Sequence, residues 1–347
     1  MIKNISLKNV RKFDRINLQI DSNNVILQGK NAVGKTTILE SISLVSITKS
    51  HRTNNLKEVI KESEMYSDIR VNYYGNEYRI VISNQGKMVS INNLEQSKLS
   101  EYVGLFPTIF FSPNDLEIIT SSPTLRRQFL NQEISQISRN YLKNLNIYNK
   151  LLQERNILLK NMDVNSDTKL LDVLTVELIE IGKKIIIDRM NFIEEINQEI
   201  NNINSKINSN EFIKIIYQPS TPLEKIEEIF ETKKTTDILS HQTNYGIQRD
   251  EIVFLLNDKN VSKFASQGQI RNVILSTKLT LCKIIYKYKK KYPVLLLDDV
   301  LSELDINRQN SLLNLLNEFE NIQTFISTVD TSGIDKENLK KYQIINL

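Results

Sequence analysis

The chain has 347 residues, with 45 Lys and Arg against 41 Asp and Glu, 40% hydrophobic and 25% charged residues. That is an ordinary balance for a globular protein built from two or three packing units, and the net charge of +4 permits an anionic partner without demanding one. Cys282 is the only cysteine and His51 and His241 the only histidines, which excludes an intrachain disulfide and argues against a zinc centre or a Ser-His-Asp hydrolase.

Residues 2–21 alternate in period two (Ile5, Leu7, then Ile16, Leu18, Ile20), which predicts a hairpin of half-buried strands. Residues 25–28 read as a short buried strand, followed by a Gly-rich loop and a helix over 35–43. Strands are predicted at 69–74 and 78–83 around the turn Gly75-Asn76, extended by 87–91, and at 108–111, stopped by Ser112-Pro113. Residues 115–211 contain one Gly and one Pro. Apolar residues recur there at helical spacing (Leu142, Leu145, Tyr148, Leu152; Leu171, Leu174, Leu178, Ile181, Ile185), predicting two or three long helices with a turn at 161–167. A strand at 212–217 and helix to about 240 follow. Strands at 252–256, 294–297 and 324–327 then alternate with helices at 269–288 and 307–319. The pattern is α/β: a mixed sheet with helices packed on it, interrupted by a helical block. The boundaries read from the sequence are 1–112 for the first part of the sheet lobe, 113–240 for the helical lobe and 241–347 for the return to the sheet lobe. Residues 1–9 lack the apolar block of a signal peptide and no run reaches the ~18 apolar residues of a membrane helix, so a cytoplasmic, non-membrane protein is expected.

Residues 29–36, Gly29-Lys30-Asn31-Ala32-Val33-Gly34-Lys35-Thr36, satisfy G-x-x-x-x-G-K-[ST] between a predicted strand and helix, with Thr37 next in line. Glycines let the backbone wrap phosphates so that N–H groups and the helix N-terminus face negative charge. Lys35 is placed for the β- and γ-phosphates and Thr36 for Mg²⁺, which makes ATP and Mg²⁺ the expected cofactors. The second motif is the apolar strand of residues 294–297 ending in Asp298 and Asp299. Asp298 is placed to hold the metal shell, and Asp299 to orient and deprotonate the attacking water. Ser266-Gln267-Gly268-Gln269 precedes a helix with Ile270, Val273, Ile274, Thr277 and Leu281 on one face. Alone it is an N-cap, but a Ser and Gly at a helix start can also bind phosphate. Ser302 and Asp305 follow the acidic pair. This order of motifs resembles an ABC-type ATPase head, in which the helix-cap segment serves a nucleotide held by the other subunit.

Further strings resemble the RecF family of bacterial recombination and repair proteins over essentially the whole chain. They are Lys49-Ser50-His51-Arg52-Thr53, Phe111-Ser112-Pro113-Asn114-Asp115-Leu116, Pro123-Thr124-Leu125-Arg126-Arg127-Gln128-Phe129-Leu130, Gln153-Glu154-Arg155-Asn156, the Ser266–Gln269 segment with Arg271, and 297–305 with Arg308-Gln309. The resemblance implies a two-lobed P-loop ATPase head, with a mixed-sheet lobe and an inserted helical lobe and no long coiled coil, ATP-dependent dimerisation, DNA binding, and loading of recombinase at gapped DNA with the partners RecR and RecO. Candidate DNA contacts are Arg52, Arg126, Arg127, Lys143 and Arg155. A solvated helical face is the alternative reading of these residues, and of the run Lys287-Tyr288-Lys289-Lys290-Lys291. Three positions depart from the family pattern. Ala32 stands where many relatives have Gly. Gly246-Ile247-Gln248-Arg249-Asp250 replaces Gly-Pro-His-Arg-Asp. Thr328-Val329 stands where many ABC ATPases place a histidine, which implies slow hydrolysis. The motifs leave two rivals: an ATPase subunit of a transporter, disfavoured by the long helical insertion, and a nucleotide-gated scaffold without turnover, disfavoured by Asp298 and Asp299.

Overall fold

The computed structural model describes residues 1–207, 211–319 and 322–347. The chain divides into two units. One comprises Met1–Leu116, Arg271–Leu347 and a short piece beginning at Asn202; the other comprises Glu117–Asn201 and Glu211–Ile270.

The first unit carries two sheets. One is antiparallel, in the order Phe13–Gln19, Ile2–Val10, Tyr66–Tyr73, Asn76–Ser83, Gly86–Ile91, Leu94–Glu95. The other is parallel, in the order Gln343–Asn346, Asn24–Gln28, Gln323–Thr328, Val294–Leu297, Thr108–Phe111. Strands Val294–Leu297 and Thr108–Phe111 are buried at every position, which explains their unbroken apolar sequence. Helix Lys35–Ile47 packs on strands of both sheets. Ile38, Leu39, Ile42, Leu44 and Val45 join Ile5, Leu7, Val71, Ile80, Leu27, Leu296 and Phe325 in one core. A helix enclosed on all sides has no polar face to show, so its sequence carries no amphipathic stripe. Ser41 Oγ donates to Thr37 O and Ser46 Oγ to Phe106 O, while the buried Ser43 Oγ has no partner among the described residues.

The second unit contains helices Pro123–Ile137 and Arg139–Lys160 and most of Lys169–Ile207. Ser138 separates the first two, its hydroxyl accepting from Tyr141 N at 3.1 Å as the N-cap of the second. Strand Glu251–Leu256 pairs antiparallel with Ile213–Gln218 and with Lys259–Asn260. That pairing holds residues 241–270 in this unit. The boundary read at 240 therefore lies further along the chain, and Ser266–Gln269 belong to the helical unit, not to the sheet unit. Two fully buried arginines organise the interior. Arg189 donates to Asp250 Oδ2 at 2.7 Å, Asn131 Oδ1 at 2.9 Å and Ile247 O at 3.1 Å. Arg155 donates to Asp237 Oδ2 at 2.9 Å, Thr243 Oγ1 at 2.7 Å and Thr175 Oγ1 at 2.9 Å. Buried charges persist only when paired and hydrogen-bonded in this way.

Candidate nucleotide site

Strand Asn24–Gln28 ends where the chain must turn sharply into helix Lys35–Ile47. Ala32 has φ 63° and Gly34 φ 106°. Gly34 is required twice over: left-handed backbone favours glycine, and a Cβ there would lie 2.3 Å from Phe13 Cζ. Ala32 tolerates its conformation at about 1–2 kcal/mol. Gly34 is the helix N-cap, with no side-chain cap and no acid in the first turn, so the leading N–H groups remain available to an anion. Lys35, 8% exposed, donates to Gly29 O at 2.5 Å and Lys30 O at 2.9 Å. Its ammonium thus lies against the rim of the loop.

The acidic pair stands at the C-terminal end of strand Val294–Leu297, the end of a parallel sheet where ligands bind. Asp298 Oδ1 accepts from Thr36 Oγ1 at 2.9 Å and Ser327 Oγ at 2.7 Å. Burial pushes the Asp298 carboxyl above its ordinary range; those two hydrogen bonds oppose the rise and the neighbouring Asp299 charge adds to it. Asp299 takes φ 52°, its N–H donates to Ser327 Oγ at 2.9 Å, and its Oδ1 is buried without a hydrogen-bond partner. Strain and an unsatisfied oxygen concentrate at positions held for function. A cavity of about 410 Å³ is lined by Asn31, Ala32, Gly34, Lys35, Thr36 and Thr37 together with Asp298, Asp299 and Ser327.

Two further cations line this cavity that motif reading did not place there. Arg11 and Lys12 form the turn between strands Ile2–Val10 and Phe13–Gln19, and Lys12 Nζ donates to Ala32 O at 2.5 Å. Arg11 and Arg52 share Glu40, at 2.9 and 3.2 Å. Burial raises the Glu40 carboxyl, but hydrogen bonds from Arg11 and Ser50 overcome it and hold the group below its ordinary value. In the sequence they stand out only as a basic dipeptide within the hairpin that precedes the P-loop strand, which does not by itself place them at the loop.

The remaining candidates fall elsewhere. Ser266 N donates to Gln269 Oε1 at 2.9 Å and Gln269 N to Ser266 Oγ at 3.3 Å, a reciprocal capping box; Ser266, Gln267 and Gly268 are exposed. Ser302 Oγ donates to Asp299 O at 3.0 Å, while Asp305 caps helix Ile306–Glu318 by accepting from Arg308 N. Among the DNA-contact candidates, Arg52 lines the nucleotide cavity and Lys143 is exposed. Arg126 is taken up by Glu251 at 2.7 Å and by backbone carbonyls, and Arg127 donates to Asp250 O at 2.9 Å. Arg155 is a correction: it is 0% exposed and bound to Asp237, Thr243 and Thr175, so in this fold it has no surface to offer a phosphate. Its partners lie far along the sequence, and nothing local distinguishes it from its solvated neighbours.

A family model described as an AAA domain matches residues 4–211. The DNA replication and repair protein RecF of Bacillus cytotoxicus (strain DSM 22905 / CIP 110041 / 391-98 / NVH 391-98) is 39% identical over 361 residues, covering 100% of this chain and 96% of the relative. The chain belongs to the RecF family. RecF of Bacillus thuringiensis (strain Al Hakam) is also 39% identical, over 363 residues with the same coverage. Two solved RecF structures, described as the recombination mediator protein RecF-ATP and RecF-ATPrS in the RecFOR pathway, match with TM-scores of 0.89 and 0.86. Both are 32% identical to this chain and cover 96% of it, and the matches span 93% and 94% of those chains. An Smc head bound to the C-winged helix domain of ScpA matches with a TM-score of 0.54 at 15% identity, over 99% of this chain and 93% of that one, and shows the shared fold. No described helix of this RecF-family chain is long and apolar enough to cross a membrane.

Proposed function

We propose that the chain is an ATP-dependent DNA-binding protein of recombinational repair and replication. It dimerises on ATP, hydrolyses it slowly, and helps load recombinase at single-strand gaps or duplex junctions, with RecR and RecO as partners. The observation that carries the reading is the convergence of Thr36 and Asp298 at 2.9 Å, with the unpartnered Asp299 oxygen beside them. Two hard oxygen donors fit Mg²⁺, which takes one or two protein ligands and completes its shell with water and phosphate oxygens. Thr36 and Asp298 would hold that ion, whose charge offsets the negative charge on the β- and γ-phosphate oxygens.

The chain's own groups supply the rest. The N–H groups of the loop and helix start cradle the phosphates, and Lys35 exchanges its two carbonyl partners for phosphate oxygens. Asp299 accepts the proton of the attacking water. The exposed Ser266 and Gly268 open a helix towards solvent, and a Cβ on Gly268 would meet nothing within 4 Å. The capping box with Gln269 leaves this surface open on its outer side, where a γ-phosphate held by a second copy would fit. Thr328, whose hydroxyl donates to Asp330 O at 2.8 Å, offers no histidine to the γ-phosphate, in keeping with slow turnover.

Sedimentation with ATP and with ADP, beside ATPase assays with and without gapped DNA, tests this. The unmodified chain should dimerise with ATP only. Ser266→Arg should bind ATP as a monomer and fail to hydrolyse it. Dimerisation of Ser266→Arg as complete as that of the unmodified chain would disprove the assignment of this segment to the partner's nucleotide.

A further inference from the structure

Helix Gln267–Lys289 ends in a run that is basic and aromatic by turns: Tyr286, Lys287, Tyr288, Lys289, Lys290, Lys291, Tyr292. No acidic residue occurs between Lys278 and Leu297. The helix dipole accounts for lysines in the last turn, but Lys290 and Lys291 lie beyond the helix. The fold brings a second segment to the same place. Lys291 Nζ stands 4.8 Å from the centre of the Tyr74 ring, and Tyr74 N donates to Met1 O at 3.0 Å. Lys3, two residues on from Met1, is exposed, and its charge and that of Lys291 both act on the Met1 amino group, which burial above all pushes down to about 5. Residues 1–13 also contain no acid, and Glu77, on the strand after Tyr74, is paired with Arg70.

The rings are presented, not packed away. Tyr74 is 49% exposed and Tyr288 52%. Lys290 takes φ 55° and donates to Tyr286 O at 2.8 Å, a left-handed helix stop where glycine is the usual residue.

We infer that Lys3, Lys290 and Lys291 with Tyr74 and Tyr288 form a binding surface for single-stranded DNA, the lysines contacting phosphates and the tyrosine faces stacking on bases. Uniform positive charge serves any polyanion. Exposed aromatic faces among the charges favour a strand whose bases are unpaired. The surface uses none of the residues that line the nucleotide cavity. The inference rests on the reading of the chain as a DNA-binding protein and adds to it a location on the molecule.

The test is fluorescence anisotropy of the full chain with labelled oligothymidylate and with a duplex of equal length, across a salt series. Lys290→Glu/Lys291→Glu should weaken single-strand binding at least tenfold and lower the log–log salt slope by roughly 1.4, about 0.7 per contact. Tyr288→Ala and Tyr74→Ala should each weaken it about 5- to 100-fold. ATP affinity, ATP-dependent dimerisation and thermal stability should be unchanged in all variants, which separates lost contacts from misfolding. If the unmodified chain binds neither DNA, the functional reading itself falls. If it binds and the lysine variant binds equally well, only this surface is wrong. Lysine effects with unchanged tyrosine variants would refute stacking and the single-strand assignment. Loss of binding to phosphatidylserine vesicles with DNA binding intact would assign the surface to membrane lipid instead.

Discussion

Thr36 Oγ1 lies 2.9 Å from Asp298 Oδ1, although the two residues are 262 positions apart in sequence. One comes from the phosphate loop and the other from the end of a central strand, and their contact makes one site of two motifs. The division of labour within that site can be taken apart residue by residue.

Lys35 and Asp299 should fail in different ways. Lys35→Ala removes the cation that lies at the loop rim and should weaken ATP binding by about 10²-fold or more. Asp299→Asn keeps the size of the side chain but cannot accept a proton. It should leave ATP affinity within a few-fold and cut turnover by about 10²–10⁴-fold. Nucleotide titration beside single-turnover hydrolysis separates the two, and equal loss of affinity in both would refute the assignment.

Asp298 should set a pH-dependent cost on the nucleotide-free protein. Burial raises its folded pKa above the unfolded value. Its contribution to stability is therefore complete below the unfolded pKa and is lost as pH rises through the folded one. Asp298→Asn retains an acceptor for Thr36 and Ser327 and should melt above the unmodified chain at neutral pH without nucleotide. The gap should shrink as pH falls towards about 4. Adding ATP with Mg²⁺ should reverse the order, since only the carboxylate gains from the ion. Thermal melts across pH, with and without ligand, check both parts.

Gly34 carries two constraints that substitution can separate. Gly34→Ala meets Phe13 and a disfavoured φ together, and should abolish tight ATP binding. Phe13→Ala in the same chain removes the ring clash and leaves backbone strain of about 1–2 kcal/mol beside a 3.0 Å approach to the flexible Lys12 side chain. The double variant should therefore recover part of the affinity lost by the single one. No recovery in calorimetric titration would show that the backbone conformation alone sets the requirement.

Arg155 should matter to stability rather than to nucleic acid. Arg155→Ala leaves Asp237 charged and buried and should cost about 3–5 kcal/mol in denaturant unfolding. An unchanged unfolding midpoint combined with weakened DNA binding would contradict its place in the core.

Much of this architecture was readable from the residues. Strand Val294–Leu297 coincides with its apolar run, because a strand covered on both faces has no reason to alternate. The three long helices of residues 123–207 follow from their period, whereas the break at Ser138 was not marked by it. The strand Gln343–Asn346 escaped notice because it is half-exposed at a sheet edge, with two isoleucines between polar ends. Membership of residues 241–270 in the helical unit depends on pairing between Glu251–Leu256 and Ile213–Gln218, which no local pattern encodes. The nucleotide motifs were plain because their chemistry fixes residue type and spacing. Arg11 and Lys12 reach the same cavity by a hairpin turn whose position follows only from the folded sheet.

The phosphate loop hangs from strand Asn24–Gln28, whose neighbours in the parallel sheet are Gln323–Thr328 and Gln343–Asn346. The two flanks of the earliest motif thus come from residues 323–328 and 343–346, far later in the chain. During synthesis the ribosome releases residues 24–36 long before anything exists to pair with them, and Asp298 is likewise absent. A nascent or prematurely ended chain therefore has the signature of an ATP-binding protein and no site in which to use it. Closing a sheet across so large a sequence separation is slow. Nucleotide competence consequently arrives late, and an incomplete product has no site in which to sequester ATP.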